Sequence, residues 1–259
     1  MDIRGTLASH GYALVKDGIP NPLLRDFADT LAHFIKAQAE QCGGQTRAQV
    51  RALAPEHLPH QGLIHLRNHS AEAMRQVVDR MKISPTFFAL IHAPEVRRAA
   101  AHVLGLHTAM DVLASHPNFR ADLPDRFAEE KRKFALPWHQ EGAYYKTKAS
   151  QSQSLVLHIS LFDCSAEHGA LELKEGSHLK QYLAHNEYFA DETAKKHFRV
   201  ELNDADLEGL KTVPLVSKAG DIGVIDFRTF HRSGQNTSDQ VRYTFLIRVS
   251  PANAPDLVI

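Results

Sequence analysis

Apolar residues recur along this chain in two rhythms, and the change between them divides it. From Asn21 to about Leu106 the spacing is helical. Leu23, Leu24, Phe27, Leu31, Phe34 and Ile35 fall three and four apart and predict one amphipathic helix, with Asn21 as N-cap and Pro22 at the first helical position. Ala71 to Met81 and Pro94 to Leu104 predict two more, and Ser84-Pro85 and Ala93-Pro94 are natural breaks, because a residue before proline avoids the helical region. From about Thr108 the runs shorten to strand length and are separated by turn residues: AMDVLASH, SLVLHISLF, ALELKEG, KTVPLV, DIGVIDF and RYTFLIRVS. A short apolar run, Tyr12 to Val15, precedes the helical part. The pattern predicts a sandwich or barrel of strands in residues 108–259.

No Gly/Ser/Pro-rich linker marks the change of rhythm, so residues 1–107 are expected to pack on the barrel as a mainly helical extension within a single domain, 1–259. There is no internal repeat. Two polar inserts interrupt the strands, 125–133 (DRFAEEKRK) and 181–206. They read as solvated loop or helix, with a lid over a cavity mouth as the alternative.

Composition narrows the partners. The 259 residues are 43% hydrophobic and 23% charged, an ordinary globular balance. Lys plus Arg equals Asp plus Glu at 30 each, so no global field exists to recruit nucleic acid or an anionic membrane, and a small molecule is the expected partner. The N-terminus lacks the apolar core of a signal peptide and no apolar run approaches the ~18 residues of a membrane span, so a cytoplasmic location is expected. Cys42 and Cys164 lie far apart without CxxC spacing, which suggests neither a disulfide framework nor a thiolate metal site. Oligomeric state is not legible.

The candidate chemistry begins at LPWHQEGAYY, residues 136–145, where His139 and Glu141 are two apart. Among 17 histidines and 30 acidic residues, His-x-Asp/Glu is expected roughly twice by chance, and it occurs twice, the other instance being His185-Asn186-Glu187. The spacing alone therefore carries nothing. Context adds to it: on a strand, residues i and i+2 share a face, so His139 and Glu141 can present an imidazole and a carboxylate to one ion. His231, after the strand DIGVIDF, supplies a third donor, Ser233 and Gly234 make the turn beyond it, and Arg242 opens the last long apolar strand. Two histidines and one carboxylate form the facial triad of non-haem iron(II) oxygenases. A guanidinium inside a barrel is costly unless paired, and a small dicarboxylate is a suitable bidentate partner for Arg242.

With these residues in view, the runs WHQEGAYY, GALELKEGSH and GDIGVIDFRTFHRSGQN, followed by Arg242, resemble the phytanoyl-CoA dioxygenase-like family of iron(II)- and 2-oxoglutarate-dependent oxygenases. The resemblance implies a β-rich α+β protein, a double-stranded β-helix (jelly-roll, cupin-like) with flanking N-terminal helices. It implies that His139, Glu141 and His231 bind iron and that Arg242, eleven residues after His231, grips the distal carboxylate of 2-oxoglutarate. Gln140 and Ser233 fall at positions that assist co-substrate binding in relatives, and His158 at an inward position near the co-substrate. The implied reaction consumes dioxygen and 2-oxoglutarate, releases succinate and carbon dioxide, and hydroxylates a small polar metabolite. Arg120, in PNFRADLP where Asn118, Arg120 and Asp122 alternate, and Tyr144, at the expected mouth, are candidate substrate contacts.

The chain also departs from the family. Glu141 replaces the usual aspartate with a ligand one methylene longer. Its carboxylate argues against the halogenating relatives, which have a small residue there. The usual Pro-Gly-Ser-His turn is Glu175-Gly176-Ser177-His178, and His178 reads as a structural hydrogen-bonder. His57, His60, His65 and His69 have irregular spacing and read as polar loop or helix surface. Two rival functions remain open: a cupin-like divalent-metal isomerase that does not use 2-oxoglutarate, and a non-catalytic binding or sensor protein on the same barrel.

Overall fold

A computed structural model describes residues 2–127, 135–145, 153–191, 193 and 195–254; most of the 125–133 insert therefore lies outside the described residues. The N-terminal part is helical as its periodicity predicts. Helix α1 (Ile3–His10) is capped by Asp2, whose carboxylate accepts from the Gly5 amide, and leads through Gly11 into strand β1 (Tyr12–Val15). Helices α2 (Asn21–Cys42), α3 (Gly44–Arg51), α4 (Leu63–His69), α5 (Ala71–Lys82), α6 (Pro85–His92) and α7 (Pro94–Leu104) follow. Asn21 is the first residue of α2 and not its cap: Pro20, extended at φ −61° and ψ 137°, takes that position. Ser70 and Ser84 cap α5 and α6 by accepting from Ala73 and Phe87 amides.

The strands are β2 (Val112–Asp122), β3 (Leu155–Ser160), β4 (Glu172–Lys174), β5 (Asn186–Asp191), β6 (Lys196–Glu201), β7 (Thr212–Pro214), β8 (Ile222–Asp226), β9 (His231–Arg232) and β10 (Arg242–Pro251). Four of them join β1 in one antiparallel sheet in the order β1-β8-β3-β10-β2, and β7-β4-β9 form a smaller antiparallel sheet. Together they make the double-stranded β-helix, a jelly roll with helices on one side. The insert 181–206, expected as loop or helix, is a hairpin of β5 and β6.

Strand alternation explains why SLVLHISLF and RYTFLIRVS read as nearly unbroken apolar runs: the large sheet is covered on both faces. Leu155, Leu157 and Ile159 of β3, with Tyr243, Phe245, Ile247 and Val249 of β10, join Phe27, Leu31 and Phe87 of the helices in the main core. Phe27 meets Phe119 edge-on at 5.2 Å, and Phe87 meets Phe245 in the same way. Truncating Phe119, 1% exposed, would cost about 3–5 kcal/mol. On the other face, Val156, Ile225 and Leu246 meet Leu171, Leu173 and Leu215 of the second sheet and its flanks. The intervening positions of β10, Arg242, Thr244, Leu246 and Arg248, point into the barrel.

The N-terminal segment is tied to the loop that precedes His231. The Gly11 carbonyl accepts from the Thr229 hydroxyl and the Asp226 amide. At φ 84°, with any added Cβ meeting His178 and Thr229, position 11 requires glycine. His178 donates from Nε2 to the Ala8 carbonyl at 2.9 Å, the structural role its sequence context suggests.

Candidate metal centre and its cavity

The two histidines of the candidate triad are joined through their backbones. His139 and His231 exchange both N–H···O=C bonds at 3.0 Å, and β9 in turn pairs with β4. This bridge puts the imidazole rings 4.1 Å apart. Glu141 does not continue as a strand, contrary to the i, i+2 expectation. The chain turns immediately, with the Ala143 amide donating to the Gln140 carbonyl, and Glu141 opens the helical turn Glu141–Tyr144. That turn carries the carboxylate back toward the rings, so Glu141 Oε2 lies 3.9 Å from His139 Nε2 and 3.6 Å from His231 Nε2.

Both imidazoles are set in the same tautomer. Nδ1 of His139 donates to the Pro137 carbonyl at 2.7 Å and Nδ1 of His231 to the Thr229 carbonyl at 2.9 Å. A carbonyl only accepts, so in each neutral ring the lone pair lies on Nε2 and faces Glu141. His139 Nε2 is buried without a hydrogen-bond partner. Burial, and then neighbouring His231, push the His139 pKa well below its ordinary value. Burial opposes ionisation of Glu141, but the Arg248 guanidinium prevails and holds its carboxyl well below the usual range. The result is two imidazole Nε2 atoms and a carboxylate oxygen within 4.8 Å of one another, all buried. Among the described residues this is the only such His/Cys/Asp/Glu group. Its donor set suits a divalent transition metal with open positions.

Beside the triad is a narrow cleft inside the barrel. Glu141 and His231 lie at one side, and His158, Ser233, Arg242 and Arg248 line it further. Arg242 does face inward, but it is engaged: Nη2 donates to Asp122 Oδ2 at 2.6 Å, Nε to the same oxygen at 3.3 Å, and Nη1 to the Gly169 carbonyl. The other oxygen of Asp122 accepts from Arg120 Nη2 at 2.7 Å. Burial disfavours the ionised carboxylate of Asp122, but the two guanidinium groups outweigh it and lower its pKa. Arg120 and Asp122 of PNFRADLP thus bind one another, and Arg120 also lines the cleft.

His158 points inward from β3, its Nδ1 buried without a partner, and burial followed by the charges of Arg242 and Arg120 lower its pKa to about 3. Ser233 accepts from the Leu136 amide at 3.1 Å through its hydroxyl. Gln140 is placed otherwise than the resemblance implies. Its amide faces away from the cleft, donating to the Arg228 carbonyl and accepting from the Leu183 amide, both at 2.9 Å. Tyr144 lies edge-on to His139 at 5.3 Å, and burial, then Glu141, push its hydroxyl up to about 12. Phe198 of the β5–β6 hairpin packs on Tyr144, and the Leu202 amide donates to the Trp138 carbonyl at 2.8 Å, so the hairpin is docked against the metal segment.

Two contributors escaped the sequence reading as site residues, Asp122 and Arg248. Arg248 donates from Nε and Nη2 to Glu141 at 2.8 and 2.6 Å. The available signal was parity: Arg242 and Arg248 are six apart on one strand and must share a face. Of the remaining histidines, His60 is half-buried; it packs on Phe162 and Tyr243, with Nδ1 donating to the Val241 carbonyl.

The sequence matches the family model described as phytanoyl-CoA dioxygenase over residues 7–244. No protein of curated function matches. Among solved structures, EvdO2 from Micromonospora carbonacea var. aurantiaca, crystallised with 2-oxoglutarate, superposes with a TM-score of 0.58 at 17% identity, over 99% of this chain and 91% of that one. The epimerase SnoN, in complex with Fe3+, alpha-ketoglutarate and nogalamycin RO, gives 0.60 at 14% identity over 96% and 82%. The carbocyclase SnoK from nogalamycin biosynthesis gives 0.58 at 17% over 97% and 83%. These likenesses show a shared fold. Among the described residues no helix is long and apolar enough to cross a membrane.

Proposed function

Because this chain belongs to the phytanoyl-CoA dioxygenase family, we propose that it is an iron(II)- and 2-oxoglutarate-dependent oxygenase that hydroxylates a C–H bond of a small polar metabolite. One observation carries the reading: two histidines with Nδ1 tied to backbone carbonyls aim Nε2 at a carboxylate ionised inside the barrel. That arrangement has little structural rationale, since a buried nitrogen without a partner costs about 1–3 kcal/mol. His139 Nε2, His231 Nε2 and Glu141 Oε2 would hold the metal. Bound iron would supply the dioxygen chemistry that no side chain here provides.

The chain's own contribution is placement and exclusion of water. Arg242 would take the distal carboxylate of the co-substrate, sharing its guanidinium with Asp122. Ser233 and neutral His158 line the same cleft, while Val156, Leu171, Ile225 and Leu246 give it apolar walls. Arg120 and Tyr144 remain the candidate substrate contacts. Since SnoN is described as an epimerase and SnoK as a carbocyclase, the same kind of iron site supports outcomes other than hydroxylation, and product analysis decides among them.

The test does not need the substrate. Iron(II) and 2-oxoglutarate are added anaerobically to metal-free protein, and the visible charge-transfer band of keto-acid chelation is sought. The expected result is a band lost in His139→Ala that requires far more 2-oxoglutarate in Arg242→Ala. Folded, metal-bound protein without the band would overturn the reading and favour a metal isomerase on the same barrel.

A further inference from the structure

The second arginine of β10 grips Glu141 in a one-sided way. A guanidinium fork commonly gives one donor to each carboxylate oxygen. Here both donors, Nε at 2.8 Å and Nη2 at 2.6 Å, close on Oε1. The oxygen left over, Oε2, is the one that faces the two imidazole nitrogens.

Arg248 is itself fixed by an irregularity in the neighbouring strand. Its Nη1 donates to the His116 carbonyl at 2.9 Å. Leu246 pairs with Asn118 but Arg248 pairs with Ser115, so a step of two residues on β10 spans three on β2. The extra residue is accommodated at His116-Pro117. His116 adopts φ 46°, a left-handed conformation that costs a non-glycine residue energy. Pro117 has no amide to lose from a ladder, and β2 is an edge strand. Bulges gather beside functional sites, where they re-aim a group. The group re-aimed here is the carbonyl that seats Arg248.

Resting on the metal reading above, we propose that Arg248 is a positioning residue that keeps Glu141 a one-oxygen ligand. Carboxylates bind metals through one oxygen or through both. Glutamate, a methylene longer than aspartate, has the freedom to bring both oxygens to the ion. By occupying Oε1, Arg248 prevents this. Three protein donors leave three positions on a six-coordinate ion, whereas a chelating glutamate leaves two. The bulge, the arginine and the carboxylate thus form a chain of contacts that sets how many positions stay open to small ligands.

Manganese(II) serves as the probe, and water-proton relaxation of the loaded protein counts the waters bound to it. Wild-type protein is expected to show about three. Arg248→Met is expected to lose one, lowering the inner-sphere relaxation by about one third. Arg248→Lys, which keeps a cationic donor for Oε1, is expected to hold the wild-type value. Two waters in wild type would overturn the proposal, whether or not any variant folds. Folded Arg248→Met at the wild-type value would overturn it as well, and so would equal loss in both variants, which would mean a general disturbance of the strand. Failure of the metal reading looks different: wild-type protein then binds no manganese, or binds it as well after His139→Ala.

Discussion

Asp122 occupies the guanidinium of Arg242, with Oδ2 2.6 Å from Nη2 and 3.3 Å from Nε. A ligand carboxylate brought to Arg242 must therefore share it with a resident one, and the two like charges repel. At about 4 Å and an effective dielectric of 20 this repulsion is ~4 kcal/mol, against which a tenfold change in affinity is only ~1.4 kcal/mol. Asp122→Asn keeps an oxygen acceptor and removes the charge. It is expected to tighten 2-oxoglutarate binding at least about tenfold, while the ligand-free protein loses about 3–5 kcal/mol because buried Arg242 and part-buried Arg120 lose their shared counter-charge. Thermal unfolding across a 2-oxoglutarate titration reads both effects: a lower starting Tm and a larger rise. Weaker binding in the variant would show that Asp122 helps to build the seat and does not compete for it.

Metal binding should appear as stability. An ion held only by the folded state adds ~2.7 kcal/mol at one hundred times its Kd. Cobalt(II) or iron(II) is expected to raise the Tm of wild-type protein and to leave His231→Ala unmoved, because that variant loses one nitrogen of the trio formed with His139 and Glu141. Chelator should reverse the wild-type gain. An equal rise in His231→Ala would place the ion elsewhere.

Acid should destabilise the protein partly through His158. Its folded pKa, about 3, lies below the ordinary 6.5 because burial and the charges of Arg242 and Arg120 disfavour the imidazolium. The unfolded chain therefore takes up a proton below pH ~6.5 that the folded chain refuses, and stability falls with pH by up to ~1.4 kcal/mol per unit. Asp122 and Glu141 have lowered folded pKa values and act further down, their contribution being lost only as pH drops below the ordinary carboxylate range. Between pH 6.5 and 4.5 the slope of unfolding free energy against pH should be shallower in His158→Gln than in wild type. Identical slopes would mean that His158 becomes protonated in the folded state.

How much of this was legible follows from what each feature depends on. Helices α5 and α7 could be placed from their apolar spacing, and the strands from their apolar runs, because both are set by which face is buried. The convergence of His139, Glu141 and His231 was legible from motifs, although the strand geometry assumed for Glu141 was not the geometry found. The β5–β6 hairpin escaped because, among its residues of described burial, only Val200 and Arg199 are buried, so no apolar alternation advertised it. Pairing was the least legible layer. Nothing local distinguishes an arginine that meets Glu141 from one that meets Asp122, since each partner lies more than 100 positions away. Pro117 inside a strand-like run was the one local hint of the bulge, as proline in a strand belongs at edges and bulges.

Gln140 provides the sharpest contrast between position in the motif and place in the structure. It lies between two metal-site residues, yet three of its bonds go to other segments: its side chain to Arg228 and Leu183, and its backbone amide to His185 Nε2 at 3.1 Å. It therefore joins the metal segment to the turn before His231 and to the root of the hairpin that carries Phe198 over Tyr144. Gln140→Leu removes the side-chain bonds while keeping the volume roughly constant. It leaves a part-buried carbonyl and a part-buried amide without their partner, at a cost of up to about 1–3 kcal/mol each. Amide exchange should accelerate in residues 183–201, and metal affinity should fall by roughly tenfold as His139 and Glu141 lose their alignment. The Kd for 2-oxoglutarate on metal-saturated protein should stay within about twofold of wild type, because Gln140 does not reach the cleft beside Arg242. The reverse pattern, weakened 2-oxoglutarate binding with the hairpin still protected, would require the Gln140 amide to turn into the cleft when the co-substrate binds.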